Sequence, residues 1–138
     1  MTATTTARES KRKDGELIAY KMAAVKIPKG ALVNINAAGY ATNSTDASGE
    51  TFAGVAYETV DNSAGSAGDK VIRVETRGTF EFVDGGGNGA QTDVGVEFKI
   101  VDNQTVTDAA TTNNLKCGVC VESVDATTTR VRIDRYAS

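Results

Sequence analysis

Cys117-Gly118-Val119-Cys120 holds the residues whose type and spacing most suggest chemistry, because a C-x-x-C can serve as a redox pair or as half of a zinc site. Extended backbone there argues against both. Residues three apart on a strand face opposite sides of the sheet, so the two sulfurs diverge unless the strand is broken. Zinc would need two further nitrogen or sulfur ligands, and the chain has no histidine and no third cysteine. Both cysteines read as small core residues. Glu58 with Asp61, and Glu122 with Asp125, have the residue types for general acid and base work. Asp61-Asn62 and Asp125-Ala126, however, stand where turns begin and where an Asp side chain bonds nearby backbone, so turn chemistry is the reading taken. Asp84-Gly85-Gly86-Gly87-Asn88-Gly89 suggests a phosphate cradle but lacks the lysine and the following helix, and reads as a flexible hairpin tip. With no histidine, a Ser-His or Cys-His nucleophile pair is excluded. The expectation is a protein that is not an enzyme and uses no cofactor and no metal.

The elements that carry these residues are duplicated. Gly54-Val55-Ala56-Tyr57-Glu58-Thr59-Val60-Asp61 returns as Gly118-Val119-Cys120-Val121-Glu122-Ser123-Val124-Asp125, which puts Cys117 and Cys120 in the places of Ala53 and Ala56. Upstream, with a slip of one residue, Gly30-Ala31-Leu32-Val33-Asn34-Ile35 answers Gly95-Val96-Glu97-Phe98-Lys99-Ile100, and Tyr40-Ala41-Thr42 answers Thr105-Val106-Thr107. Downstream, Ile72-Arg73-Val74 answers Val131-Arg132-Ile133. Two copies are too few for a solenoid, so the pattern predicts one pseudo-symmetric domain, residues 16–138, with halves at about 27–76 and 93–135.

Size and charge bound the partners. At 138 residues one core is expected. With 15 basic and 18 acidic side chains there is no general basic field for a nucleic-acid backbone, and no nucleic-acid partner is expected. No apolar run approaches the roughly 20 residues of a membrane span, and the opening residues lack the apolar segment of a signal peptide, so neither membrane association nor export is expected. Asn43-Ser44-Thr45 and Asn103-Gln104-Thr105 match the glycosylation pattern but read as loop residues without a secretory route.

Residues 1–15 form a separate Thr/Ala and basic stretch that buries too little apolar surface to order itself, and read as an extended N-terminal arm. Arg8, Lys11, Arg12 and Lys13 are its candidate docking side chains. Beyond it the chain reads as β throughout, with eight strands at 17–22, 31–36, 52–60, 70–76, 79–83, 96–101, 115–124 and 129–136. Alternation marks 71–76 and 130–134 as half-buried, whereas 52–60 and 115–124 have apolar or small residues at both parities and suit strands covered on two sides. No stretch of eleven residues carries a helical period.

Taken in order, Ile27-Pro28-Lys29-Gly30-Ala31-Leu32-Val33, Ala38-Gly39-Tyr40-Ala41, Gly54-Val55-Ala56, Glu58-Thr59-Val60-Asp61-Asn62-Ser63, Gly68-Asp69, 74–80, Val101-Asp102-Asn103-Gln104-Thr105-Val106 and Gly118-Val119-Cys120-Val121 resemble the small capsid cement, or head decoration, proteins of tailed bacteriophages and prophages. The likeness runs nearly the full length and rests on order and spacing. Its one departure is Cys117 and Cys120, where the pattern usually has Val or Ala. The resemblance implies a compact all-β, jelly-roll-like sandwich or barrel. It also implies a structural virion protein on the outer surface of the head, made in the bacterial host cytoplasm, that binds the major capsid protein and clamps neighbouring capsomers against packaged DNA. Self-association is part of that expectation, as a dimer at two-fold positions or, alternatively, a trimer. The competing class is a surface-displayed β-sandwich for adhesion or glycan binding. It calls for an aromatic platform, whereas the aromatics are scattered and Phe80 and Phe82 share one strand face as core residues do.

Overall fold

The computed structural model describes residues 2–8, 10, 15–86 and 89–134. Among them the chain is all-β: β1 (Leu17–Lys21), β2 (Lys26–Ile27), β3 (Leu32–Ile35), β4 (Ala41–Asn43), β5 (Thr51–Ala56), β6 (Val60–Asp61), β7 (Val71–Glu75), β8 (Arg77–Asp84), β9 (Glu97–Ile100), β10 (Thr105–Thr107), β11 (Lys116–Ser123) and β12 (Thr128–Asp134), with a single 3-10 turn at Gln91–Asp93. All eight expected strands are present, with the end of the one expected over 129–136 lying outside the described residues. Four short ones (β2, β4, β6 and β10) were not expected. The strand expected over 52–60 is broken, because the chain bends at Tyr57 and Glu58 before β6.

The strands form two related units. In the first, an open sheet runs β1-β7-β5-β3-β4; in the second, β10-β8-β12-β11-β9 closes into a barrel. Register makes the relation explicit. Ile35 opposite Ala41 answers Ile100 opposite Val106, Val33 opposite Gly54 answers Phe98 opposite Gly118, and Ala56 opposite Val74 answers Cys120 opposite Val131. The copy also includes β1 and β8, since Ile18 opposite Val74 answers Phe80 opposite Val131. Even the closure is copied. The barrel seals where β10 pairs in parallel with β8, Thr105 with Val83 and Val106 with Asp84, and the first unit has one parallel bridge, Met22 to Ala41, at the same place. The duplication therefore begins with β1 and β8, ahead of the halves read from sequence. Its last strand is also displaced by two residues: Val74 corresponds to Val131, not to Ile133. A shift of two preserves the face of every side chain, so the Val/Arg alternation matches in either register.

Gly54 and Gly118 explain why the octet is kept. A Cβ on Gly54 would lie 2.1 Å from the Glu75 carbonyl oxygen, and one on Gly118 would lie 2.1 Å from that of Arg132. Their φ angles, 152° and 158°, disfavour a side chain as well. Just before each glycine both units carry the same β-bulge, where Ala53 and Cys117 have no residue opposite them in the ladder.

The core lies in two clusters. One fills the first unit with Met22, Ile27, Val33, Ala53, Ala56, Ile72 and Val74. The other fills the barrel with Phe82, Phe98, Ile100, Val106, Cys117, Cys120, Val131 and Ile133, and continues onto Leu32, Phe52 and Val55 of the first unit. β5 is accordingly buried at both parities, as its composition predicts. Burying Leu32 and Phe52 at this seam stabilises the join by about 1.5–3 kcal/mol each. Polar ties reinforce it: Leu32 N–H donates to the Asn103 carbonyl at 2.8 Å, and the Asp46 carboxylate accepts from the Asn113 amide at 3.1 Å. The two glycosylation-pattern asparagines are spent here, Asn103 Nδ2 donating to Asn43 Oδ1 at 3.1 Å; Asn43 lies in β4, not in a loop. β11 corrects its sequence reading, because Val121 is 44% exposed and the outer half of the strand is open on one side.

Candidate functional site

Cys117 and Cys120 are free thiols buried in one cluster. The expected divergence of their side chains fails because the bulge at Cys117 shifts the phase of the strand, so both enter the barrel. Cys117 Sγ donates to the Phe98 carbonyl at 3.5 Å, and Cys120 Sγ lies 3.2 Å from Thr129 Oγ1. Burial pushes the Cys117 thiol up to about 12, which suppresses the nucleophilic thiolate at neutral pH. The core reading from Ala53 and Ala56 thus describes their surroundings.

The recurring carboxylates are occupied locally. Asp61 Oδ1 accepts from the amide (2.9 Å) and hydroxyl (2.6 Å) of Ser63, and Asp125 Oδ1 accepts from the amide (2.8 Å) and hydroxyl (3.0 Å) of Thr127. These hydrogen bonds hold both carboxyls below the usual range, as the turn reading requires. Glu58 and Glu122 instead meet arginines on the neighbouring strand. Arg73 contacts Glu58 from Nε at 3.0 Å and Nη2 at 3.1 Å, while Arg130 bridges Glu122 and Glu81. Sequence reasoning missed these pairs, since only the sheet brings β7 and β12 beside the octets.

One grouping of carboxylates was also missed. At the end of the barrel Asp84 and Asp93 are buried, each with an Oδ2 that has no hydrogen-bond partner. Asp108 completes the group: a Cβ on Gly86 would come within 2.6 Å of Asp108 Oδ1 and 3.2 Å of Asp84 Oδ1. Burial raises Asp93 first, then its contact with Asp108 and the charge of Asp84. Among the described residues no three His, Cys, Asp or Glu side chains are placed to hold a metal ion. The glycine run beside this trio leads from β8 to the 3-10 turn; Gly87 and Asn88 lie outside the described residues, and the described ones are packed, Asp84 Oδ1 accepting from Gly86 N–H at 2.9 Å and a Cβ on Gly89 lying 2.2 Å from the Asp125 carbonyl.

Of the candidate docking residues, Arg8 is exposed in the segment 2–8, while Lys11, Arg12 and Lys13 lie outside the described residues. The segment's hydrogen bonds are local, between Thr4 and Thr6. Its root is fixed: Thr76 N–H donates to the Glu16 carbonyl at 2.9 Å, the Thr76 hydroxyl donates to the Gly15 carbonyl, and Arg77 Nη2 meets Glu16 Oε1 at 2.8 Å. Beside that root a groove runs along the seam between the units. Val55, Tyr57 and Glu75 form one wall, and Gly78, Phe80 and Phe82 of β8 form the other. Tyr57 is 43% exposed there and carries the Arg73 guanidinium 5.0 Å from its ring centroid. Comparison with models of protein families, with curated proteins and with solved structures finds no match to this chain.

Proposed function

We propose that this chain is a structural cement protein that binds the outer face of an assembled capsid lattice and ties neighbouring capsomers together. The observation that carries the proposal is the contrast between a body built from two related β units and an exposed polar segment, residues 2–8, ahead of a chain rooted at Glu16. In the thiol pair and the recurring carboxylates, the residues most suggestive of chemistry are spent on packing, turns and ion pairs. The order of turn and strand motifs that resembles phage decoration proteins supports the same reading.

In this account Arg8, Lys11, Arg12 and Lys13 meet acidic residues of the major capsid protein, so charge sets orientation and rate of capture, and several weak contacts per assembly gain avidity. Co-sedimentation with capsids lacking the protein tests it. Deletion of residues 2–14 abolishes pelleting with capsids while leaving the melting transition of the body in place. Undiminished pelleting of the truncated protein defeats the proposal.

A further inference from the structure

We propose that the open edge of β8 is a receptor for an extended strand, and that its occupant is the segment 2–8 of a second copy of this chain. β8 pairs with β12 along its whole length, but on its other side β10 takes up only Val83 and Asp84. Among the described residues nothing pairs with that side over 77–82. Val83 N–H points to this side, donating to the Gln104 carbonyl at 3.0 Å, and Asp84 N–H points to the other, donating to the Thr127 carbonyl at 2.9 Å. By the two-residue period of an antiparallel strand, the amides and carbonyls of Thr79 and Glu81 also face the open side.

Proteins usually blunt such an edge with a proline, a bulge or a covering element. Here β8 has no proline and its register with β12 is continuous, its charges are drawn off, Arg77 to Glu16 and Glu81 to Arg130, and the edge borders the groove walled by Tyr57, Glu75, Phe80 and Phe82. Free ladder groups beside side-chain pockets are what strand addition uses: main-chain bonds give affinity and the pockets give selection.

The second copy's arm fits in composition, length and charge. Residues 2–7 are threonine and alanine, free of glycine and proline, and their small side chains suit a narrow groove. At about 3.3 Å per residue, seven extended residues cover about 23 Å, and the open stretch of six covers about 20 Å. Glu75, which lines the groove on both sides of Phe80, has no ion pair among the described residues, and the segment ends in Arg8. The body carries about −4 (eleven basic minus fifteen acidic) and residues 1–16 about +1 (four minus three). Because Glu16 and Leu17 line the mouth of the same groove, a two-fold pair can exchange arms reciprocally. Arg8 is then taken up by Glu75 of the second copy, and Lys11, Arg12 and Lys13 are the arm residues left to meet the lattice.

Protein alone tests this, so failure leaves the capsid reading standing. Sedimentation equilibrium on the full chain, on a variant lacking residues 2–8 and on Thr79→Pro is the measurement; the proline removes an amide from the open edge and spares the pairing with β12. The full chain is expected to be a dimer and each variant a monomer. An equimolar mixture of the two variants is expected to form a heterodimer through the one surviving arm and groove. A monomeric full chain, or a truncated variant that still dimerises, overturns the proposal. Should Thr79→Pro fail to fold, Glu75→Arg takes its place and is expected to weaken dimerisation at least tenfold; unchanged association also overturns it.

Discussion

Arg73 holds Glu58 three times over, through its backbone amide at 3.0 Å, its Nε at 3.0 Å and its Nη2 at 3.1 Å. An arginine–glutamate pair recurs in the second unit, where Arg130 holds Glu122 through Nη1 alone at the corresponding point of β12 and gives Nη2 to Glu81. A copied ion pair in a copied frame means that the two units share a construction as well as a sequence pattern. The hydrogen bonds from Arg73 lower the Glu58 carboxyl below its ordinary 4.5. A depressed carboxyl contributes stability that is present above its unfolded value and is lost as pH falls through its folded value. Glu58→Gln is therefore expected to lower the melting temperature at pH 7 and to remove part of the decline expected on acidification below about pH 4.5. Thermal melts of both proteins from pH 7 to pH 2 measure this, and parallel curves contradict it.

The shared glycines make a sharper comparison. Gly54→Ala and Gly118→Ala each force a Cβ against a backbone carbonyl that the sheet holds in place, and each is expected to cost about 3 kcal/mol or more. Gly95→Ala is the control, since its φ is also positive, at 88°, but its Cβ would meet nothing within 4 Å. It is expected to cost about 1–2 kcal/mol. Urea denaturation ranks the three, and equal losses would show that backbone conformation alone sets the requirement.

Cys117 and Cys120 occupy the sites of Ala53 and Ala56. The double variant Cys117→Ala/Cys120→Ala is expected to fold, with a loss of about 1–2 kcal/mol for the volume removed. In the native protein a thiol reagent is expected to label neither residue until denaturant is added. Rapid labelling at pH 7 would contradict the burial that pushes Cys117 up to about 12.

Asp93 titrates in the opposite sense to Glu58. Burial and the neighbouring Asp108 and Asp84 raise its carboxyl, so the folded state binds the proton more tightly than the unfolded chain does. Stability then falls as pH rises from the unfolded value through the raised folded one, and above that the penalty is fully present. Asp93→Asn keeps the shape, removes the charge and supplies a donor to Asp108; it is expected to add about 1 kcal/mol at pH 7 and to flatten the pH profile. A destabilised variant at pH 7 would show that the ionised carboxylate is accommodated.

How far the fold could be read depended on which residues carried a signal. The octet was legible because the sheet demands a glycine at Gly54 and Gly118, and the Gly30 and Gly95 segments because the turn ahead of each strand takes a positive φ, 84° and 88°. The equivalence of β1 and β8 was not, since Leu17-Ile18-Ala19-Tyr20-Lys21 and Thr79-Phe80-Glu81-Phe82-Val83 share no residue, only a face. β2, β4, β6 and β10, at two or three residues each, are too short for any period to register. The turn roles of Asp61 and Asp125 were visible because an Asx turn is local. The Asp84, Asp93 and Asp108 trio and the groove along β8 were not, because only barrel closure and the seam bring such distant positions together. Cys117 misled the geometric argument for a single reason, a bulge that composition does not announce.

Cryo-electron microscopy of mature capsids lacking the protein, incubated with the purified chain, tests the cement role most directly. The account predicts ordered density at fixed lattice positions, shaped as two adjoining β units, with the basic part of the arm against acidic residues of the capsid protein. Bare capsids at both low and high salt would contradict it.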